Sequence, residues 1–254
     1  MDEANNMKSA YEILKSDKEL NYILDNANYN MNHTQNFERE TSGVDYTICC
    51  HGRHHTMFVV GYMEYILRAL SYDAHTIEVG KVAGLLHDVG NFFGRNDHAR
   101  TSASMCLYFV SKTNLNINDL KIIEQAVLDH SKGIDMQSAV GAALIIADKM
   151  IDKDRGTPVK ADLIKGGFDE AKINKLPDKR SDVPCNYVCK DIQLNIKNRD
   201  FIFNFVVEGD TEVFMNEYLN KKIKAKESIL TQNAAAYLKC NCIYQVNGCE
   251  IEIK

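Results

Sequence analysis

The feature that most constrains the fold of this chain is an apolar segment that ends in a histidine and an aspartate. The run Val82–Leu86 is followed directly by His87 and Asp88. A helix that is apolar nearly all round is expected to be buried, so this one carries two polar side chains into the core. A carboxylate is almost never fully buried unless it is paired or bound to a metal. Because histidine and aspartate are ligands for divalent ions, the pair predicts a metal site.

The composition is that of an ordinary globular protein. Of the 254 residues, 45% are hydrophobic and 26% are charged, enough for one large domain or a medium one with a small one. The net charge of −5 argues against general nucleic-acid binding. The polar, acidic N-terminus is unlike a secretory signal, and the longest strongly apolar run, Ala142–Ala147, is too short to span a bilayer. We therefore expect a cytoplasmic protein without a membrane segment.

The hydrophobic pattern divides the chain into two regions. Apolar residues at helical spacing predict helices at about residues 7–25, 53–70, 77–89, 98–110, 116–130 and 138–151. Gly90 is predicted to cap the third helix, and residues 91–97 are predicted to form a loop. After Pro184, alternating apolar residues predict a ββαββ unit that ends in a hairpin at Asn247-Gly248. The fold class is thus mainly α, with a small α+β unit at the C-terminus.

Four further polar residues lie where the helix pattern predicts burial. His55, His130 and Asp148 share faces with apolar residues, and His98 opens a helix after the predicted loop. Any one of them has an ordinary explanation as a satisfied core residue. Burying all of them together without a cation would leave uncompensated charge that costs several kcal/mol per group. Their joint occurrence predicts that they converge on a metal.

These residues resemble the HD-domain superfamily of metal-dependent phosphohydrolases. Arg53–Val59 resembles the first-histidine helix of that family, Ala83–Gly90 its central signature, and Ala147–Lys149 the helix with its closing aspartate. The chain is similar in particular to a bacterial subgroup with a His-Gly-x-x-His segment, here His51 to His55, and a C-terminal extension. Many members continue the central signature with Gly-Lys, whereas this chain has Gly90-Asn91, so no role of that lysine carries over.

The resemblance covers roughly residues 46–156 and, together with the change after Pro184, implies four parts. They are an N-terminal helical segment (1–45), an HD metal-binding helical core (46–156), a charged connecting segment (157–184) and a small α+β domain (185–254). The cysteines, eight in all, are expected to be reduced thiols in a cytoplasm. A second metal site among the C-terminal ones stays open, at Cys185, Cys189, Cys240, Cys242 and Cys249.

The resemblance also implies an activity, the hydrolysis of a phosphomonoester or phosphodiester, with a nucleotide as one candidate. One divalent ion would be held by His55, His87, Asp88 and Asp148; with two ions, Asp88 would bridge them, and His98 and His130 would hold the second. Mn, Mg, Fe, Co, Ni and Zn all remain open as the ion. Asp88, His51 and Lys149 are the predicted catalytic residues, and the predicted phosphate contacts are Arg95, Lys132 and Arg155, each of which can equally be a solvated surface charge.

Three questions stay open at this point: the function, the first ligand and the role of the small domain. The chain can be a catalytically silent nucleotide sensor, or an HD-fold oxygenase with two irons. The first ligand can be His51, His54 or His55; His55 is favoured because it faces the core, whereas His54 is rotated about 100° away from it. His33 and His75 are expected at the surface. The small α+β domain can cap the site, bind a partner or form a homodimer by pairing of strand edges.

Overall fold

The computed structural model describes residues 8–27, 51–131, 136–150, 189–207, 211 and 228–251. The chain is mostly helical and ends in a small four-stranded sheet, which confirms the predicted class at that level. The described helices are α1 (Ala10–Lys15), α2 (18–27), α3 (Arg53–Ala69), α4 (Ala74–Leu86), a 3-10 helix (Val89–Phe93), α5 (His98–Val110), α6 (Ile117–Asp129), α7 (Ala139–Lys149) and α8 (Ser228–Tyr237).

The predicted N-terminal helix of residues 7–25 is interrupted. The helix α1 ends at Lys15, where the hydroxyl of Ser16 donates to the carbonyl oxygen of Glu12 at 2.9 Å. The helix α2 then begins after Asp17, whose Oδ1 accepts from the backbone N–H of Leu20 at 2.9 Å. Serine and aspartate compete with the helix for backbone hydrogen bonds, and here they end one helix and cap the next.

The helix α4 is central, as its composition predicts. It contacts α1, α3, α5, α6 and α7, and eight of its 13 residues are buried. The cap of α4 was wrongly predicted. The helix ends at Leu86 with His87 as its C-cap, and Gly90 lies inside the 3-10 helix instead. The predicted 91–97 loop therefore begins with helical residues, and this 3-10 helix packs against α5.

The C-terminal sheet has the strand order β1-β2-β3-β4, with β1 at Cys189–Lys197, β2 at Asp200–Val207, β3 at Asn241–Val246 and β4 at Cys249–Ile251. β1 and β2 form an antiparallel hairpin, β2 pairs with β3 in parallel, and β3 and β4 form the second predicted hairpin. Its turn residues Asn247 and Gly248 have φ values of 49° and 82°, as a tight primed turn requires. Of the helix predicted between the strands, at about residues 213–238, α8 is the described part, and residues 213–227 lie outside the described ranges.

The sheet unit rests on two helices of the helical region. The Tyr62 hydroxyl of α3 donates to the carbonyl of Ile192 in β1 at 3.4 Å, and the N–H of Ile196 donates to the Tyr65 hydroxyl at 3.2 Å. The helix α8 packs against α7. The buried apolar residues of the sheet and of the helices form one continuous cluster. The domain boundaries inferred from the sequence stay a prediction.

Within the described ranges, each helix is too short or too polar to cross a membrane.

Candidate metal centre

The six predicted metal ligands come from five helices and meet in the interior. Each of them is at most 8% exposed. Four stand at or next to a helix terminus, where the backbone turns away and a polar side chain can enter the core. The positions are His55 in α3, His87 at the C-cap of α4, Asp88 before the 3-10 helix, His98 at the start of α5, His130 at the C-cap of α6 and Asp148 in the last turn of α7.

Four of these side chains form the first group, which consists of His55, His87, Asp88 and Asp148. Nε2 of His55 lies 3.1 Å from Oδ1 of Asp148, 3.3 Å from Nε2 of His87 and 3.6 Å from Oδ2 of Asp88. Ligand atoms about 2.1 Å from an ion stand about 3.0 Å apart in an octahedron and about 3.4 Å apart in a tetrahedron. The observed separations lie close to these values, so the four side chains could hold a divalent ion.

Asp88 also belongs to a second group, with His98 and His130. Nε2 of His98 lies 3.4 Å and Nε2 of His130 lies 3.6 Å from Oδ1 of Asp88, while Oδ2 faces the first group. Among the residues that the structure describes, none donates a hydrogen bond of ordinary geometry to this buried Oδ1. A buried carboxylate oxygen without a donor fits a cation, so the residues present fit a metal on this side as well.

Backbone carbonyls fix the tautomer of three of the histidines. Nδ1 of His87 donates to the carbonyl of Gly84 at 2.8 Å, and Nδ1 of His98 donates to that of Arg95 at 3.0 Å. Nδ1 of His130 donates in the same way to Val127 at 2.6 Å. Since a carbonyl only accepts, Nδ1 carries the proton, and in the neutral ring the lone pair is on Nε2. All three Nε2 atoms point to the Asp88 carboxylate, the arrangement found around protein-bound metals.

Burial and charge act against each other at the two carboxylates. Burial alone raises the pKa of Asp88, but the nearby His87 and His51 outweigh it and hold that pKa well below its ordinary value. Burial likewise raises the pKa of Asp148, and Lys149 and His55 more than offset it, so this pKa also lies well below the ordinary value. Both side chains are therefore anionic at neutral pH, as ligands of a cation need to be.

Two of the buried histidines, His87 and His98, differ in their protonation at neutral pH. Burial lowers the pKa of His87, but Asp88 and Asp148 overcome burial and raise it to about 10. Burial also lowers the pKa of His98, and the attraction of Asp88 does not compensate, so this pKa falls to about 4. At neutral pH without a metal, His98 is thus ready to bind an ion, whereas His87 must first lose a proton.

This difference predicts how metal affinity depends on pH. An ion that binds at the first group must displace the His87 proton below a pH of about 10, while the carboxylates stay ionised. We expect the affinity to rise with pH, by about tenfold per unit for one displaced proton. Isothermal titration of the metal-free protein at pH 7 and pH 8, in buffers of different ionisation enthalpy, measures both quantities. An affinity that is independent of pH, with no proton released, would contradict this assignment.

Two of the predicted catalytic residues touch the ligands directly. Nδ1 of buried His51 lies 2.8 Å from Oδ2 of Asp88, a contact suited to orienting that carboxylate. Nζ of Lys149 donates to Oδ2 of Asp148 at 2.8 Å, which leaves Oδ1 facing His55 and His87. Adjacent helical residues project about 100° apart, yet the long lysine side chain reaches back to its neighbour. The catalytic roles of His51 and Lys149 stay predictions.

The predicted phosphate contacts are only partly placed. Arg95 is half-buried, and its Nη1 donates to Oδ1 of Asn91 at 3.3 Å. Lys132 and Arg155 lie outside the described residues, as does His33. His54 is exposed, and so is His75, whose Nε2 lies 2.7 Å from Oδ1 of Asp119. The choice of His55 over His54 as the inward-facing histidine is confirmed by this burial.

Reasoning from the sequence missed the contacts that hold the 3-10 helix in place. The N–H of Gly90 donates to Oγ of Ser102 in α5 at 2.8 Å. A Cβ at residue 90 would lie 2.3 Å from the carbonyl oxygen of His98 and 2.7 Å from the N–H nitrogen of Ser102. Glycine is therefore required for close approach rather than for a helix cap. The only signal in the sequence is its place between the His-Asp pair and His98.

The cysteines do not enter either metal group in the described part of the chain. Cys106, Cys240, Cys242 and Cys249 are free thiols there, while Cys185 and the side chain of Cys189 lie outside it. Burial raises the pKa of Cys106 to about 12 and that of Cys242 to about 11. Thiols with such values are poor ligands and poor nucleophiles at neutral pH.

A comparison of the sequence with protein-family models and with curated proteins finds no match.

Proposed function

We propose that this chain is a metal-dependent phosphohydrolase of the HD-domain superfamily that cleaves a phosphomonoester or phosphodiester. The observation that carries the proposal is the shared carboxylate of Asp88, which faces one ligand group with each of its oxygens. Two ions held by one bridging carboxylate can clamp the attacking and leaving oxygens of an in-line displacement. The HD-like order of the ligands along the chain supports the same assignment.

The ligand set favours a transition metal over magnesium. Four of the six ligands are imidazoles and two are carboxylates. Imidazole suits iron, nickel and zinc, whereas magnesium prefers oxygen ligands and keeps several waters. Of the ions left open by the sequence, we therefore propose manganese, iron, cobalt, nickel or zinc.

The residues of the chain supply charge and orientation in this scheme. His51 holds Asp88, and Lys149 holds Asp148, each through a contact of 2.8 Å. When bound, a divalent ion lowers the pKa of a water ligand and neutralises charge on phosphoryl oxygens. Phosphoryl transfer needs mainly positioning and charge neutralisation, so no side-chain nucleophile is required. The substrate is a small phosphorylated molecule, with nucleotides as the first class to examine.

The proposal is tested with metal-free protein reloaded separately with manganese, iron, cobalt, nickel, zinc or magnesium. Each form is screened against p-nitrophenyl phosphate, bis(p-nitrophenyl) phosphate and a panel of nucleotides, with phosphate release as the readout. We expect hydrolysis that depends on a transition metal and is lost in excess chelator. A protein that holds its metal yet hydrolyses no phosphate ester on this panel would overturn the assignment.

The nitrogen-rich ligand set also supports a second candidate, an oxygenase with two irons. Tightly held iron with oxygen uptake in the presence of an organic substrate would favour the oxygenase over the hydrolase. Nucleotide binding without turnover would instead favour a silent sensor.

The second ligand group gives a stoichiometric prediction for His130. Its Nε2 lies 3.6 Å from Oδ1 of Asp88 and does not belong to the first group. In a protein with two ions, we expect His130→Ala to halve the metal content and leave the first ion in place. Elemental analysis of the purified variant beside the wild type measures this, with exposed His54→Ala as the control. An unchanged metal content would make His130 a substrate or core residue rather than a metal ligand.

A further inference from the structure

We propose that Asn91 positions the substrate, by donating a hydrogen bond from its side-chain amide to a phosphoryl oxygen. The inference rests on the proposed function and adds a residue to it. Asn91 is fully buried, with 0% of its surface exposed. Among the residues that the structure describes, none accepts a hydrogen bond from Nδ2 of Asn91. A buried donor without an acceptor destabilises a protein, so such a group is expected to bind an acceptor other than the described residues.

The position of Asn91 directs this donor toward the metal ligands. Asn91 follows Asp88 by three residues, and its backbone N–H donates to the Asp88 carbonyl at 3.0 Å. Side chains three residues apart eclipse each other along a 3-10 helix. The amide of Asn91 and the carboxylate of Asp88 therefore share one face of this turn.

Arg95 settles which end of the amide is the donor. Its Nη1 donates to the side-chain oxygen Oδ1 of Asn91 at 3.3 Å, so that oxygen is engaged and Nδ2 is the end that remains. The orientation follows from hydrogen bonding, since an amide nitrogen there would face another donor. Arg95 is thus a positioning residue for Asn91 rather than a direct contact to phosphate.

One ligand could interact with two buried polar atoms of this short segment, one on Asp88 and one on Asn91. Oδ1 of Asp88 has no donor and Nδ2 of Asn91 has no acceptor among the described residues. The first calls for a cation and the second for an acceptor, which a phosphate ester bound to a metal supplies together. A water on a metal is a weak acceptor for Nδ2, because the cation withdraws electron density from the water oxygen. The phosphoryl oxygen is therefore the better acceptor.

The test measures binding of inorganic phosphate, the reaction product, to metal-loaded protein. Asn91→Asp keeps the oxygen that accepts from Arg95 but replaces the donor by a negative oxygen, and Asn91→Ala removes the donor without adding charge. We expect each variant to keep the metal content of the wild type and to weaken phosphate binding by about tenfold or more. The matched control is Asn96→Asp, which adds the same charge at an exposed position of the same segment and is expected to leave phosphate binding unchanged.

Three results separate this inference from the proposed function. Phosphate binding at the wild-type strength in both Asn91 variants, with full metal content, would overturn the inference alone. Loss of metal or of the folded state in both variants would also overturn it, because Asn91 would then be a structural residue. A wild-type protein that holds metal but neither binds phosphate nor hydrolyses esters would overturn both.

Discussion

Replacement of Asp88 by asparagine is expected to abolish hydrolysis and to empty both ligand groups. The substitution keeps the shape of the side chain but removes the one charge that both groups share. The buried histidines then face a neutral amide, and the site loses its strongest attraction for a cation. We expect turnover to fall by about 10³-fold or more, equivalent to several kcal/mol of lost metal-ion stabilisation of the transition state. Phosphate release and elemental analysis of the same preparation measure the two effects together.

A matched control for this variant exists elsewhere in the chain. Asp119 is also buried, at 4% exposed, and its Oδ1 also lies near a histidine nitrogen, at 2.7 Å from Nε2 of His75. Asp119→Asn removes a buried carboxylate that belongs to neither metal group. We expect this protein to keep its metal and its turnover. If Asp88→Asn retains both as well, Asp88 is not the shared ligand.

Replacement of Gly90 by alanine is expected to destabilise the fold and to weaken the second metal group. The new Cβ would lie 2.3 Å from the backbone oxygen of His98 and 2.9 Å from Oγ of Ser102. Backbone atoms cannot rotate away, so the 3-10 helix must move from α5 and Asp88 must move from His98. We expect a loss of about 2–3 kcal/mol in the free energy of unfolding, typical of overpacked sites. Urea denaturation measures the loss, and metal titration reports a weaker second ion.

Gly61 provides the comparison, because a Cβ at that helical position meets nothing within 4 Å. Alanine is the better helix former, so Gly61→Ala should leave the stability unchanged or raise it by about 0.5–1 kcal/mol. Equal effects of the two glycine substitutions would show that the contact between the 3-10 helix and α5 is not tight. The same result would remove the proposed reason for a glycine after the His-Asp pair.

The sequence was sufficient to predict the helices that carry the ligands. Polar residues such as His55 and Asp148 share helical faces with apolar residues, and burial of that face follows from hydrophobicity alone. Their convergence could also be predicted, because one buried aspartate needs compensation from several sides. The hairpin at Asn247-Gly248 was predictable for a different reason, since few residue pairs adopt two successive positive φ angles.

The features that were not predicted depend on contacts between separate segments, or on local hydrogen bonds that the hydrophobic pattern does not record. The interruption at Ser16 and Asp17 is a local choice between two ways of satisfying backbone groups, and hydrophobic periodicity continues through it. The role of Gly90 depends on how closely α5 approaches, which no spacing in the sequence records. The buried donor of Asn91 was missed for the same reason, because a single asparagine after a turn signal is usually a solvated loop residue.

The most direct test is a crystal structure of metal-loaded protein, with anomalous scattering recorded on both sides of the absorption edge of the metal. We expect one anomalous peak among His55, His87, Asp88 and Asp148. We expect a second peak among Asp88, His98 and His130, bridged to the first by the carboxylate of Asp88. Peaks confined to other residues, or no peak between these side chains in crystals that contain bound metal, would contradict this expectation.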